Sequence, residues 1–144
     1  RRVTGFSNYK DFMLSHMDSK GALATVKQFK EADPPSILVS PSVGTGYDFP
    51  DEEARWQIIS KVPFPDSRAM VMKARQHVNP DYGCHMALKQ LIQESGRLVR
   101  SPTDWGETFL LDSHAQWLIS KYKSILPKWL VESLITCNMI PKAR

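Results

Sequence analysis

No apolar run in this chain approaches the roughly 20 residues that a membrane-spanning helix needs, so no span is expected within it. A secretory leader pattern is missing too, since Arg1-Arg2 runs into Val3-Thr4-Gly5 with no hydrophobic stretch behind it. Cysteine is scarce. Cys84 and Cys137 stand far apart without C-x-x-C spacing, which excludes the usual zinc and iron–sulfur ligand sets and suits two reduced structural thiols. His16, His77, His85 and His114 show no metal-like spacing with them. Net charge is nearly absent from the body of the chain. The formal value is +4, and Arg1, Arg2, Lys142 and Arg144 account for it at the two ends. Basicity is therefore only weak support for nucleic-acid binding. No glycine-rich loop leads into G-K-[ST], so a Walker A phosphate cradle is excluded.

What remains is a chain of 144 residues, 42% hydrophobic and 24% charged, which suits a soluble globular protein with one ordinary core and one domain. It opens on Arg1 rather than Met, from which a longer parent is expected.

The middle alternates strand and helix. Ser36-Ile37-Leu38-Val39-Ser40 is a short β-rich run between Pro34-Pro35 and Pro41, as a buried parallel strand would be. Before it, residues 21–32 place Leu23, Val26 and Phe29 at helical spacing. Residues 56–62 form the next strand, stopped by Pro63-Phe64-Pro65, and Asp66 with Ser67 can cap a helix running to about Gln76. Asn79-Pro80-Asp81-Tyr82-Gly83 reads as a loop. A long helix is then predicted over 84–99, with Met86, Leu88, Leu91 and Ile92 among its apolar positions and Ser101-Pro102 ending it. Residues 107–112 are a third strand, and two helices follow over 114–122 and 128–137, divided by Leu126-Pro127. Arg1 to Phe6 reads as a truncated strand, and residues 9–17 as a loop or short helix. Strands spaced by helices in this way predict an α/β fold, a parallel sheet covered by helices on both faces.

Two segments carry chemistry. The loop Pro41-Ser42-Val43-Gly44-Thr45-Gly46 follows a strand, which is where open α/β sheets bind ligands. Gly44 and Gly46 let backbone approach a phosphate, and Ser42 and Thr45 offer hydroxyls; a tight glycine turn explains the same residues. The second segment reads Gln93-x-x-Gly96-Arg97-x-x-Arg100 at the end of an amphipathic run. Two arginines three apart share one helical face. A guanidinium is always charged and grips phosphate with a planar fork, as a γ-phosphate sensor requires.

Taken together, the two segments resemble motifs V and VI of a superfamily 2 helicase, and the second motor domain of the XPD/DinG-like DNA helicases in particular. The resemblance runs from about Gly21 to Leu134. It includes Gly46-Tyr47-Asp48-Phe49-Pro50, Lys61-Val62-Pro63-Phe64-Pro65, Asp104 with Gly106, Leu111-Asp112 and Leu126-Pro127-Lys128-Trp129. It implies a RecA-like fold and ATP, with Mg2+, held mainly by a first RecA-like motor domain of the same chain. Arg97 and Arg100 are then arginine fingers, and Gln93 places the nucleotide or its attacking water. Gly46, Asp48 and Gly96 line the ATP cleft, while Ser42 and Thr45 lie near the backbone of single-stranded DNA. The implied activity is ATP-dependent DNA unwinding in DNA repair, with no membrane partner and a cytoplasmic, nucleoid-associated setting for a bacterial or phage source.

The chain departs from relatives in carrying Gly44-Thr45 where an acidic residue often precedes the motif V glycine. It also has His114 where an arginine tends to follow the Leu-Asp strand end. No Walker A lysine, D-E-A-H box or four-cysteine cluster is present, so this segment alone is expected not to hydrolyse ATP. Any iron–sulfur cluster would belong to the parent outside this segment. Two other classes compete with the motor: a non-catalytic helicase-like module that binds nucleic acid or a partner, and a scaffold within a nucleoprotein complex. Asp51-Glu52-Glu53 reads as a solvated loop, His114 as a helix-start surface residue, and the four tryptophans as core or rim. Trp105, in the loop after motif VI, is a candidate for base stacking.

Overall fold

A computed structural model describes residues 9–16, 19–44, 46–99, 101 and 103–136. The fold is mixed α/β with short parallel strands, and the chain divides into two compact units: residues 1–55 with 96–107, and residues 56–95 with 108–144.

In the first unit a 3-10 turn at Tyr9–Phe12 leads into β1 (Met13–Ser15), then α1 (Ser19–Glu31), then β2 (Ile37–Val39). β1 and β2 pair in parallel, Met13 opposite Ile37 and Ser15 opposite Val39. Parallel neighbours need a crossover, which α1 supplies. Ala22 and Val26, four apart, form its buried stripe, and Phe29 on the same side meets Phe49 edge to face at 5.8 Å. Residues 9–17 read as loop or short helix; the structure has a short 3-10 helix at Tyr9–Phe12 and then a strand at Met13–Ser15. Three residues with one half-buried side chain, Leu14, carry too little alternation to be recognised. The truncated strand expected at residues 1–6 lies outside the described residues.

The second unit holds β3 (Trp56–Ile59), α2 (Met70–Val78), α3 (Tyr82–Ser95), the body of β4 (Glu107–Leu110), α4 (Ser113–Lys121) and α5 (Lys128–Ser133). β3 and β4 form a second two-stranded sheet. Glu107 N–H donates to Arg55 and Leu111 N–H to Ile59, donor and acceptor advancing together, so these strands are parallel as well. The core is Val62, Ala87, Leu88, Ala115, Leu118, Tyr122, Leu126 and Leu130, with Cys84, Ile92 and Leu110 packed against it. Asp112 fastens strand to helix. Its carboxylate accepts the buried Val62 N–H at 2.9 Å and the His114 N–H at 3.0 Å, which caps α4. These bonds, with the His114 ring, hold its pKa down at about 2.

Several boundaries differ from the reading of the sequence. Asp66 and Ser67 do not cap α2, which starts after Ala69 with no side-chain cap. Asp66 instead accepts the backbone N–H and guanidinium of Arg68. α5 stops at Ser133, short of Cys137, which lies outside the described residues. The largest difference is at α3, which ends at Ser95, so Arg97 is not helical. Gly96 is a poor helix former, and contacts specific to the following loop take over from it. The Trp side chains at 56, 105, 117 and 129 are all exposed, so they are rim rather than core.

Candidate functional site

The motif V loop starts where β2 ends. Ser40 Oγ accepts the N–H groups of Ser42 and Val43, at 3.1 and 3.2 Å, folding the chain sharply after the strand. His16 Nε2 lies 2.6 Å from the same oxygen, and His16 is buried. Ser42 Oγ is buried without a hydrogen-bond partner. Gly46 has φ of +85° with open space where a Cβ would stand, so this position wants glycine for its backbone and not for its volume. Thr45 lies outside the described residues.

Past the turn, Tyr47 and Asp48 meet Arg97. Arg97 Nη1 donates to the Tyr47 carbonyl at 2.9 Å and to Asp48 Oδ1 at 2.8 Å. The arginine side chain is 17% exposed and the aspartate 53%. Arg97 Nε is buried without a partner. Lys30 comes in from α1, donating to the Asp48 carbonyl at 2.8 Å and to Glu53 at 2.6 Å, with its ammonium over the Phe49 ring. The face where Asp48 meets Arg97 thus holds two cations, Arg97 and Lys30, each paired with a carboxylate, and it is part-desolvated and open to solvent through Asp48. Such a place can receive an anion that outcompetes one carboxylate.

A second bridge joins the same two segments of the first unit. Asp104, with a side chain exposed at 0%, accepts from Arg55 Nη1 at 2.7 Å, from its neighbour Trp105 N–H at 2.8 Å and from Asp51 N–H at 3.4 Å. Arg55 also donates to the Trp105 carbonyl and to Glu52, and its guanidinium stacks 4.8 Å over the Trp105 ring. One face of Trp105 is thus covered by Arg55. The acidic run after motif V is not merely solvated, because Glu52 pairs with Arg55 and Glu53 with Lys30.

The structure therefore brings together Asp48 and Arg97, with Gly46 two residues from the bridge and Gly96 beside it in the chain. Arg100 lies outside the described residues. Gln93 sits near the end of α3 in the second unit, exposed, on an open groove of about 440 Å³ with His85, Leu88, Lys89, Ile92 and Ile125. Among the described residues no group of three or more His, Cys, Asp or Glu side chains is placed to hold a metal. His114 is exposed at the start of α4, beside Asp112. No described helix is long and apolar enough to cross a membrane.

The Arg55–Asp104 bridge and the His16–Ser40 contact were beyond sequence reasoning, since each joins residues far apart in the chain. The resemblance had marked Asp104 without a role, and Arg55 carried no motif signal.

Comparison with known proteins supplies the family. The helicase C-terminal domain pattern matches residues 4–133. The Fanconi anemia group J protein homolog of Gallus gallus is 29% identical over 100 residues, covering 61% of this chain and 8% of that protein. The chain thus spans a small fraction of that relative's length. With motifs V and VI tied together by Asp48 and Arg97, and the family pattern covering all but the ends, the chain belongs to the helicase C-terminal domain family.

Proposed function

We propose that this chain is the second RecA-like motor domain of an ATP-dependent DNA helicase, and that Arg97 and Arg100 are its arginine fingers. The Arg97–Asp48 bridge carries this reading, because it puts a forked cation at a solvent-open carboxylate between motifs V and VI. An ion pair with so exposed an aspartate is weak and exchangeable. A γ-phosphate carries more charge than one carboxylate and offers more acceptor oxygens, so it draws Arg97 from Asp48 when a first motor domain presents ATP. Magnesium is assigned to that first domain. It would neutralise charge between the β- and γ-phosphates while the arginines meet the charge of the transferring group.

The released Asp48 reports nucleotide occupancy to the motif V loop, where Ser42 and Thr45 face the backbone of single-stranded DNA. The Ser42 hydroxyl is buried without a partner, so it reaches the strand only by turning outward as the loop shifts. Gln93 places the nucleotide or its attacking water. Alternating closure and release of the two motor domains then moves the protein along the strand.

One observation favours a second reading, a non-catalytic module. Arg97 Nη1 is already satisfied by Tyr47 and Asp48, as in an arginine with a purely structural task. DNA-stimulated ATPase activity of the full-length protein, with Arg97→Ala and Arg100→Ala beside it, separates the two. The motor reading expects turnover to fall by about a hundredfold or more, with DNA binding retained. Unchanged turnover in both variants, or none in the parent, makes this a binding or scaffolding module.

A further inference from the structure

Among the described residues, two arginine–aspartate bridges of opposite polarity join the segment 47–55 to the segment 97–106. Asp48 on the first pairs with Arg97 on the second, and Arg55 on the first pairs with Asp104 on the second, each across 49 positions of sequence. Their settings differ. The Asp48 carboxylate is about half exposed, whereas Asp104 is wholly buried beneath an Arg55 side chain that is 13% exposed. Arg55 is fixed further by the Trp105 carbonyl, by Glu52 and by the indole face, and its Nε is sealed from solvent. Near the same place Leu98 is buried against Gly106, and Glu107 N–H donates to the Arg55 carbonyl.

We infer that the Arg55–Asp104 bridge is a positioning device for Arg97, holding the two segments in register while Arg97 exchanges Asp48 for phosphate. The inference rests on the finger reading above. An arginine that leaves one of its tethers gains a catalytic geometry only if its backbone stays where it was. The buried bridge is suited to that task because no solvent competes for it, and because the guanidinium divides its two Nη groups among Asp104, the Trp105 carbonyl and Glu52, which fixes its plane as well as its distance. Lysine at position 55 keeps the charge and loses the fork.

The test is a double-mutant cycle on DNA-stimulated ATP hydrolysis by the full-length protein, using Arg55→Lys, Arg97→Ala and the combination. Arg55→Lys is expected to lower kcat on the order of 10²-fold, the size of an ångström-scale misplacement, with KM for ATP little changed. In the Arg97→Ala background it is expected to cost nothing further, because the group it positions is gone. A wild-type kcat in Arg55→Lys overturns the inference, as does a loss that multiplies with Arg97→Ala or one that appears in KM. The last two are what general loosening of the fold produces. Asp104→Glu, which keeps the charge and lengthens the arm, takes the place of Arg55→Lys under the same expectations if the latter does not fold. Wild-type turnover in Arg97→Ala overturns the finger reading itself, and so is distinguished from failure of the positioning role alone.

Discussion

Gly106→Ala probes how closely the two segments of the first unit are packed. A Cβ built on Gly106 falls 2.7 Å from Leu98 Cβ and 3.0 Å from Leu98 Cδ1, with the Arg55 carbonyl at 3.4 Å. Carbon atoms in comfortable contact sit about 3.5–4.0 Å apart, so one side must give by roughly 1 Å. Leu98 is 3% exposed and has no solvent side to retreat into. The backbone opposite is pinned by the Glu107 N–H bond to Arg55 at 2.9 Å. Overpacking of this kind costs about 1–3 kcal/mol, or a fall of roughly 3–9 °C in Tm for a chain of this size.

Urea denaturation of wild type, Gly106→Ala, Leu98→Ala and the double variant measures it. Leu98→Ala alone costs about 2–5 kcal/mol through its cavity. The double variant should cost less than the two together, because truncation removes Cδ1 at 3.0 Å and leaves the remaining Cβ at position 98 room to shift away from the new methyl, and a coupling on the order of 1 kcal/mol is expected. A Gly106→Ala variant as stable as wild type would refute the packing argument. Strictly additive losses would place the cost in the Cβ–Cβ contact or the backbone, neither of which truncation at position 98 removes, rather than in the outer part of the Leu98 side chain.

Three further outcomes follow from the same structure. Gly46→Ala should cost roughly 1–2 kcal/mol from its positive φ alone, and Gly46→Asn less, since asparagine tolerates that region and nothing crowds the site; equal losses on urea denaturation would point to a steric cause. Leu118→Ala, at a fully buried position in the second unit, should cost about 2–5 kcal/mol, while Ile135→Ala on the surface should stay within about 0.5 kcal/mol. The Asp112 carboxyl, lowered to about 2 by the Val62 and His114 bonds, favours the folded state fully above the ordinary carboxylate range and loses that contribution as pH falls through about 2. Asp112→Asn should therefore remove part of the acid dependence of stability between about pH 4 and 2, and acid titrations of both proteins that differ only by a constant offset would rule this out.

Local pattern was enough for the elements that a short window determines. α1 was marked by Val26 and Phe29 at helical spacing, although Leu23, read with them, is exposed and Ala22 lies in the buried stripe instead. β2 is bracketed by prolines, and α4 begins at an aspartate that caps it. The motif residues Gly46, Asp48, Gln93, Gly96 and Arg97 stood out through the resemblance of their segments to helicase motifs V and VI. The match over residues 4–133 agrees with the family that this resemblance named. Helix ends were less legible. Leu98 continues the apolar spacing of α3 into residues that are not helical, because a buried leucine after a helix looks in sequence like another helical turn.

Only tertiary structure decided what the charged residues do. Asp48 and Arg97, like Arg55 and Asp104, stand 49 positions apart, and no periodicity links residues at that distance. Nor does sequence distinguish an exposed bridge from a buried one, since exposure depends on what the rest of the chain lays over each pair. That difference arises from burial: water competes for the Asp48 carboxylate and is excluded from that of Asp104.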